Sequence, residues 1–144
     1  MKVSTILRQK GTSVETISRE VPLREAVARL AAKRIGALVV LGEERCAVGV
    51  LAESDIVRAL AARGAPSLGD AVHTAVARPL VACAPNDSIE LAMSRMTQER
   101  TRHLPVLAGD ALVGIVSLGD LVKHQLESLR VEVGVLRDFA RMRR

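Results

Sequence analysis

Apolar and polar positions follow two alternating periods along this chain. Leu23, Ala26, Val27, Leu30 and Ala31 recur at i, i+3, i+4, i+7 and i+8, the spacing of one helical face. This predicts a helix over 22–33, with Pro22 suited to a first helical position. A second helix is expected over 88–99, with Asp87 or Ser88 as its N-cap. The runs 37–41, 47–51, 103–107 and 111–116 are almost continuously apolar, as in strands buried on both faces. Shorter extended segments are expected at 14–17 and 80–83, and further helices opening near Asp55 and Asp120. Short helices are expected at 3–9 and 67–76.

The pattern repeats. Residues 14–41 align with 80–107 at a constant shift of 66, which places Leu23 on Ile89, Ala26 on Ala92, Leu30 on Met96, Arg34 on Arg100 and Leu38 on Leu104. Residues 48–57 align with 113–122 at a shift of 65, which places Gly49 on Gly114 and Asp55 on Asp120. The register slips by one inside a polar turn, where a length change is tolerated. The expected fold is therefore α/β (α+β), two β-α-β-β-α halves related by a pseudo-two-fold axis. The first half covers 1–66 with its helical lead-in, the second covers 67–127, and 128–144 form a helical extension. Val122, Leu126, Leu129, Val133, Leu136 and Ala140 step by four and three through that extension. Such a stripe suits either a dimer contact or a helix packed on its own domain, with Gly134 weakening the helix.

Composition narrows the function classes. Apolar residues make up 49% and charged residues 26%, an ordinary soluble globular balance. Phe139 is the only aromatic residue, so platforms that stack bases on aromatic rings are disfavoured. The formal charge of +5 owes part of its excess to Arg141, Arg143 and Arg144. It is compatible with an anionic partner or with simple solubility. Cys46 and Cys83 are far apart, without metal-ligand spacing, and both are expected to be reduced and buried in a cytoplasmic protein. No signal region opens the sequence, and the longest apolar run, 35–41, is too short to span a bilayer.

The segments Gly49-Val-Leu-Ala-Glu-Ser-Asp55 and Gly114-Ile-Val-Ser-Leu-Gly-Asp120, with Arg100-Thr-Arg-His-Leu-Pro-Val106 in the second half, carry a resemblance. The chain resembles a tandem pair of cystathionine β-synthase (CBS) domains over residues 3–126, and is expected to be a stand-alone pair. The resemblance implies a module often paired into a dimer, with up to two nucleotide sites between the repeats. It implies adenosyl ligands: AMP above all, or ADP, ATP, NAD(H) or S-adenosylmethionine. The implied role is sensing, in which the ligand shifts a conformation that a partner reads.

Carried onto this sequence, the second-copy site comprises Ala82, Cys83, Arg102, His103, Pro105, Ser117 and Asp120. Asp120 is expected on ribose hydroxyls, Ser117 and Arg102 on phosphate, His103 at the cleft mouth, and Ala82, Cys83 and Pro105 as a wall for adenine. Ser117 and Asp120 are equally suited to capping the last helix. The first-copy site comprises Thr16, Ile17, Ser54, Asp55 and Arg58, and is expected to be weaker. Ala52 stands where the second copy has Ser117, Ala37 where it has His103, and Gly36 where it has Arg102.

No catalytic constellation accompanies these residues. Ser117, His103 and Asp120 include triad residue types, but no nucleophile elbow or P-loop is present, and the chain is not expected to be an enzyme. No metal, nucleic-acid or membrane partner is expected. The competing expectation is a protein-interaction adaptor acting through the apolar-striped extension.

Overall fold

The computed structural model describes residues 1–76 and 78–143. Arg144, part of the expected basic tail, lies outside the described residues. Helix α1 (Val3–Lys10) leads into strand β1 (Thr16–Ser18), helix α2 (Leu23–Lys33) and strands β2 (Ala37–Leu41) and β3 (Ala47–Ala52). Helix α3 (Glu53–Arg63) follows, then two 3-10 turns, Ala65–Gly69 and Val72–Ala75. The second half comprises α4 (Ile89–Glu99), β4 (His103–Ala108), β5 (Ala111–Ser117) and the long α5 (Leu118–Met142). Against the expected short helix at 67–76, the chain forms two tight turns, because Pro66, Gly69 and the extended Asp70 interrupt any α-helical run. Through Gly134 the last helix continues unbroken.

The repeat proposed from sequence is a repeat of geometry. In the first half β1 runs parallel to β2 and β2 antiparallel to β3, with Ile17 opposite Val40 and Ala37 opposite Ala52. In the second half Cys83 makes an isolated parallel bridge to Val106, and His103 lies opposite Ser117. These pairs are equivalent under the shifts of 66 and 65. Both antiparallel ladders slip in register at the same place, between Val40 and Leu41 and between Val106 and Leu107. Both α2 and α4 end on an arginine in the left-handed conformation, Arg34 at φ 53° and Arg100 at φ 52°. Arg29 Nη1 donates to the Thr16 carbonyl at 2.6 Å, and its counterpart Arg95 Nη1 donates to the Ala82 carbonyl at 2.7 Å. Of the strands expected to be buried on both faces, only β2 is buried nearly throughout. In β3 and β5 buried and half-exposed positions alternate, as in strands at a sheet edge.

Each half has its own core, and each core is completed from outside the half. Leu23, Leu30, Leu38 and Leu51 form the first core together with Val72 and Ala75 from the turn after α3. Ile89, Met96, Leu104, Val116 and Leu121 form the second, together with Val3, Ile6 and Leu7 of α1. A fully buried Leu or Ile side chain contributes about 2 kcal/mol, so these borrowed residues are a substantial part of each core. The lead-in helix, expected with the first half, thus packs on the second.

The two equivalent glycines explain how. A Cβ at Gly114 would lie 2.6 Å from Leu7 Cδ2, and a Cβ at Gly49 would lie 2.8 Å from Val76 Cγ1. Each glycine lets the crossing segment press directly on its strand. Cys83 is buried in the second core, as expected, but Cys46 is exposed. It follows the Glu43–Arg45 turn at the mouth of the β2–β3 hairpin, before the chain has re-entered the sheet.

Candidate ligand cleft

A cleft of about 500 Å³ opens between the halves. One wall is the start of α3: Ala52, Glu53, Ser54, Asp55 and Arg58. The opposite wall is the end of α4 and the entry to β4, from Glu99 to His103. The floor is apolar, formed by Val50, Val76, Pro79 and Val81. Thus Ser54, Asp55 and Arg58, assigned from sequence to one site, share a cavity with Arg102 and His103, assigned to the other.

Asp55 is buried at 8% exposure, and its Oδ2 accepts the Ala52 N–H at 2.8 Å while its Oδ1 pairs with Arg58. A hydroxyl at position 52 would cap the helix from the other side. With alanine there, no N-cap side chain accepts from the first turn of α3, and its Glu53 N–H is already held by the Gly36 carbonyl at 3.2 Å. Arg78 Nη1 donates to the Glu99 and Arg100 carbonyls at 2.6 and 3.0 Å, which clamps the linker to the end of α4. Among the described residues no carboxylate holds Arg100 or Arg102. The lining carries four arginines, at 58, 78, 100 and 102, against three carboxylates, Glu53, Asp55 and Glu99.

His103 links the halves. A Cβ at Gly36 would sit 3.3 Å from its Cε1. Burial pushes the imidazole below its ordinary pKa, and the Lys10 ammonium pushes the same way, against the opposing fields of Asp120 and Glu53. The ring is therefore held neutral, as one donor and one acceptor at the cleft edge.

The remaining predicted residues lie elsewhere. Ser117 and Asp120 form a reciprocal cap on α5: Asp120 N–H donates to Ser117 Oγ at 3.1 Å, and Ser117 N–H donates to Asp120 Oδ2 at 2.9 Å. The same Oδ2 receives Lys10 Nζ at 2.6 Å, and Lys10 also donates to the Ile115 carbonyl at 3.0 Å. Burial alone would raise the Asp120 carboxyl, but Lys10 and Ser117 outweigh it and hold the group below the usual carboxylate range. Beside this pair only about 110 Å³ is open, lined by Gln9, Lys123, His124 and Glu127. The half expected from its hydroxyl to offer the better site therefore has the smaller cavity.

Cys83 and Pro105 are buried, and Ile17 belongs to the first core. The Cys83 N–H donates to the Pro105 carbonyl and its carbonyl accepts from Leu107, so its backbone is occupied within the sheet. Burial pushes its thiol up to about 11, with Asp87 adding to the rise and Arg95 opposing it. The Ala82 and Thr16 carbonyls are held by Arg95 and Arg29. None of Thr16, Ile17, Ala82, Cys83 and Pro105 lines the cleft. Sequence reading passed over Arg78, Arg100 and the apolar floor. The signal for Arg100 was its place at a helix end two residues before Arg102.

Two equivalent αβ halves with a polar cleft between them define a tandem-repeat ligand-binding module. The chain belongs to the CBS-domain family, whose profile matches residues 6–62 and 70–127. It is 32% identical over 126 residues to the CBS domain-containing protein YhcV of Bacillus subtilis, covering 88% of this chain and 89% of that one. The CBS-domain containing protein ATU1752 of Agrobacterium tumefaciens superposes with a TM-score of 0.82 at 38% identity, covering 86% of this chain and 92% of that one. The CBS domain protein PAE2072 of Pyrobaculum aerophilum, solved in complex with AMP, shares the fold at 24% identity and a TM-score of 0.74, covering 83% of this chain and 89% of that one. Tandem CBS domains are typically regulatory ligand-binding modules. Among the described residues no helix is long and apolar enough to cross a membrane, and no cluster of three metal-ligating side chains occurs.

Proposed function

We propose that this chain is a regulatory sensor that binds one adenosine phosphate, AMP above the others, in the 500 Å³ cleft. The carrying observation is that arginines 58, 78, 100 and 102 line one cleft together with the start of α3, whose N-cap residue has no side chain to cap it, a setting suited to a phosphate. Asp55 is the acceptor for ribose hydroxyls, and the strip of Val50, Val76, Pro79 and Val81 receives the base. The volume is in the range of small-molecule sites. AMP in the related PAE2072 supports the ligand class. The site takes Asp55, Arg102 and His103 from different halves, so an occupant bridges them and changes how they sit. That is the signal a partner protein reads from a homodimeric, non-catalytic cytoplasmic module.

The test is calorimetric titration with AMP, ADP, ATP, NAD⁺, NADH and S-adenosylmethionine, with the exposed Arg102→Met variant alongside. The reading expects one ligand per chain and about tenfold or greater weakening in the variant. Absence of binding by every compound overturns it.

A second reading, a ligand-independent adaptor, is favoured by one observation: α5 beyond Leu126 leaves its apolar side chains exposed. Removing residues 128–144 separates the two. Loss of partner capture with nucleotide binding intact assigns the tail to assembly and the cleft to sensing.

A further inference from the structure

Helix α5 begins in the second core through Leu121 and His124 and then leaves the body of the protein. From residue 129 to 143 every described side chain is exposed. The projecting part, about 21 Å long at 1.5 Å per residue from Leu129 to Met142, lies beyond the residues matched by the family profile. Its seam is strongly apolar for a solvent-facing surface: Leu126 is 51% exposed, Leu129 52%, Val133 46% and Leu136 68%. A helix of this length is marginal alone, and one displaying such a stripe needs a second surface against it.

The order of side chains selects that surface. With Val122, Leu129 and Leu136 at d, the a positions are Leu126, Val133 and Ala140. The central heptad has Leu129 and Leu136 at d around the β-branched Val133 at a, the combination that favours two parallel strands. Charge points the same way. The flanking e positions are Lys123, Arg130 and Arg137, and the g positions are Gln125, Glu132 and Phe139. In a parallel pair each g residue meets the e residue of the next heptad on the other helix, which sets Glu132 against Arg137 twice per dimer. An antiparallel pair instead sets e against e, bringing Arg130 and Arg137 of one helix against the same arginines of the other. Gly134 falls at b, facing solvent, where its lack of a side chain removes nothing from the seam.

We propose that the occupant of this face is a second copy of the chain, and that the two projecting helices form a parallel two-stranded coiled coil locked by Glu132–Arg137 pairs. This deepens the homodimer reading above and rests on it, but the two fail differently. In a parallel pair every a residue faces its own copy, whereas in an antiparallel pair at most one position along the seam can do so. The test uses the full chain with Cys46→Ser, carrying Leu126→Cys or Ala140→Cys. Mass is measured by light scattering and cross-linking by gentle air oxidation. The expected result is a dimer in which both single variants form inter-chain disulfides, since facing a positions lie within roughly the 4.4–6.8 Å Cα separation that a disulfide needs. A dimer that cross-links at neither position, or at only one, overturns the parallel coil while leaving the homodimer. A monomer overturns both, and a tetramer overturns the two-stranded assignment.

A second pair of variants tests the charges. Glu132→Arg is expected to raise the dimer dissociation constant about tenfold, and Glu132→Arg with Arg137→Glu to restore it. Unchanged dissociation in the single variant overturns the ion-pair assignment. All these positions are exposed, and unaltered thermal unfolding in dilute solution checks that the body of the protein is intact.

Discussion

Lys10 Nζ lies 2.6 Å from Asp120 Oδ2, joining the first helix to the start of the last across 110 residues of sequence. Extending the 66-residue register backwards puts Lys10 where the other half has Val76, which lines the open cleft. The halves are alike in backbone, and this substitution makes their surroundings at the two aspartates unlike. On one side Asp55, paired with Arg58 of its own helix, borders 500 Å³ of space, and on the other a lysine from α1 reaches across to the equivalent carboxylate.

Lys10→Met keeps the aliphatic stem and removes the ammonium. On the reading of one open cleft, titration of the variant with AMP is expected to show a second, weaker binding event, raising the stoichiometry from one to two per chain. The pair is partly exposed, so the stability loss is small, about 1 kcal/mol by denaturant unfolding. A stoichiometry that stays at one would mean that the second groove is closed by more than this side chain.

Acidification should lower stability through His103 while raising that residue's own contribution to phosphate affinity. His103 has a lowered pKa in the folded protein, so the unfolded chain takes up its proton first. Stability is full above the ordinary histidine pKa of about 6.5 and falls as pH drops through the folded value. Asp120, also lowered, adds a further loss below the ordinary carboxylate range of about 4. Binding of a phosphate beside His103 favours its protonated form, which opposes the loss of affinity caused by protonation of the phosphate itself at about pH 6. From pH 7.5 to 5.5 the His103→Asn variant should therefore lose AMP affinity more steeply than the parent and lose stability less steeply, as read by calorimetry and chemical denaturation.

Gly114→Ala places a methyl 2.6 Å from Leu7 Cδ2, and Gly49→Ala places one 2.8 Å from Val76 Cγ1. Each is expected to cost about 1–3 kcal/mol through overpacking, seen as a fall in thermal midpoint of several degrees. Combining Gly114→Ala with Leu7→Ala should destabilise by less than the sum of the separate changes, because the second substitution makes room for the first. Simple additivity would show that the close approach of α1 is not what the glycine serves.

The thiols should separate cleanly. Cys46 is exposed and should react with a disulfide reagent in the native protein within the time of mixing. Cys83 is buried, with its thiol pushed up to about 11, and should react only as fast as the protein opens. Counting fast and slow thiols at pH 8 checks both.

Local periodicity made much of the fold legible. The face of Leu23, Ala26 and Leu30 and its shifted copy of Ile89, Ala92 and Met96 located α2 and α4 within a residue of their ends. Ser117 and Asp120 were read as a possible cap, and they are one. The cleft was legible only in part, because it is assembled across the halves. Nothing in the spacing of Asp55 and Arg102 indicates that they share a cavity, whereas Ser117 and Asp120 are close in sequence and invite grouping with the nearby His103. The reach of Lys10 to Asp120 was equally hidden, since a long-range ion pair leaves no periodic trace. Cys46 was expected to be buried from its residue type, but its place at a hairpin mouth decided otherwise.

The exchange of lead-ins makes each half depend on the other. Val3, Ile6 and Leu7 complete the core of the second half, and Val72 and Ala75 complete the core of the first. A chain with one repeat and its own lead-in would have an unfilled core and an unused plug. It could satisfy both only by trading plugs with another such chain. The present protein holds both repeats in one chain, so each plug reaches the other repeat within a single molecule. In one chain the two clefts need not be identical, and Lys10 stands at one where Val76 stands at the other.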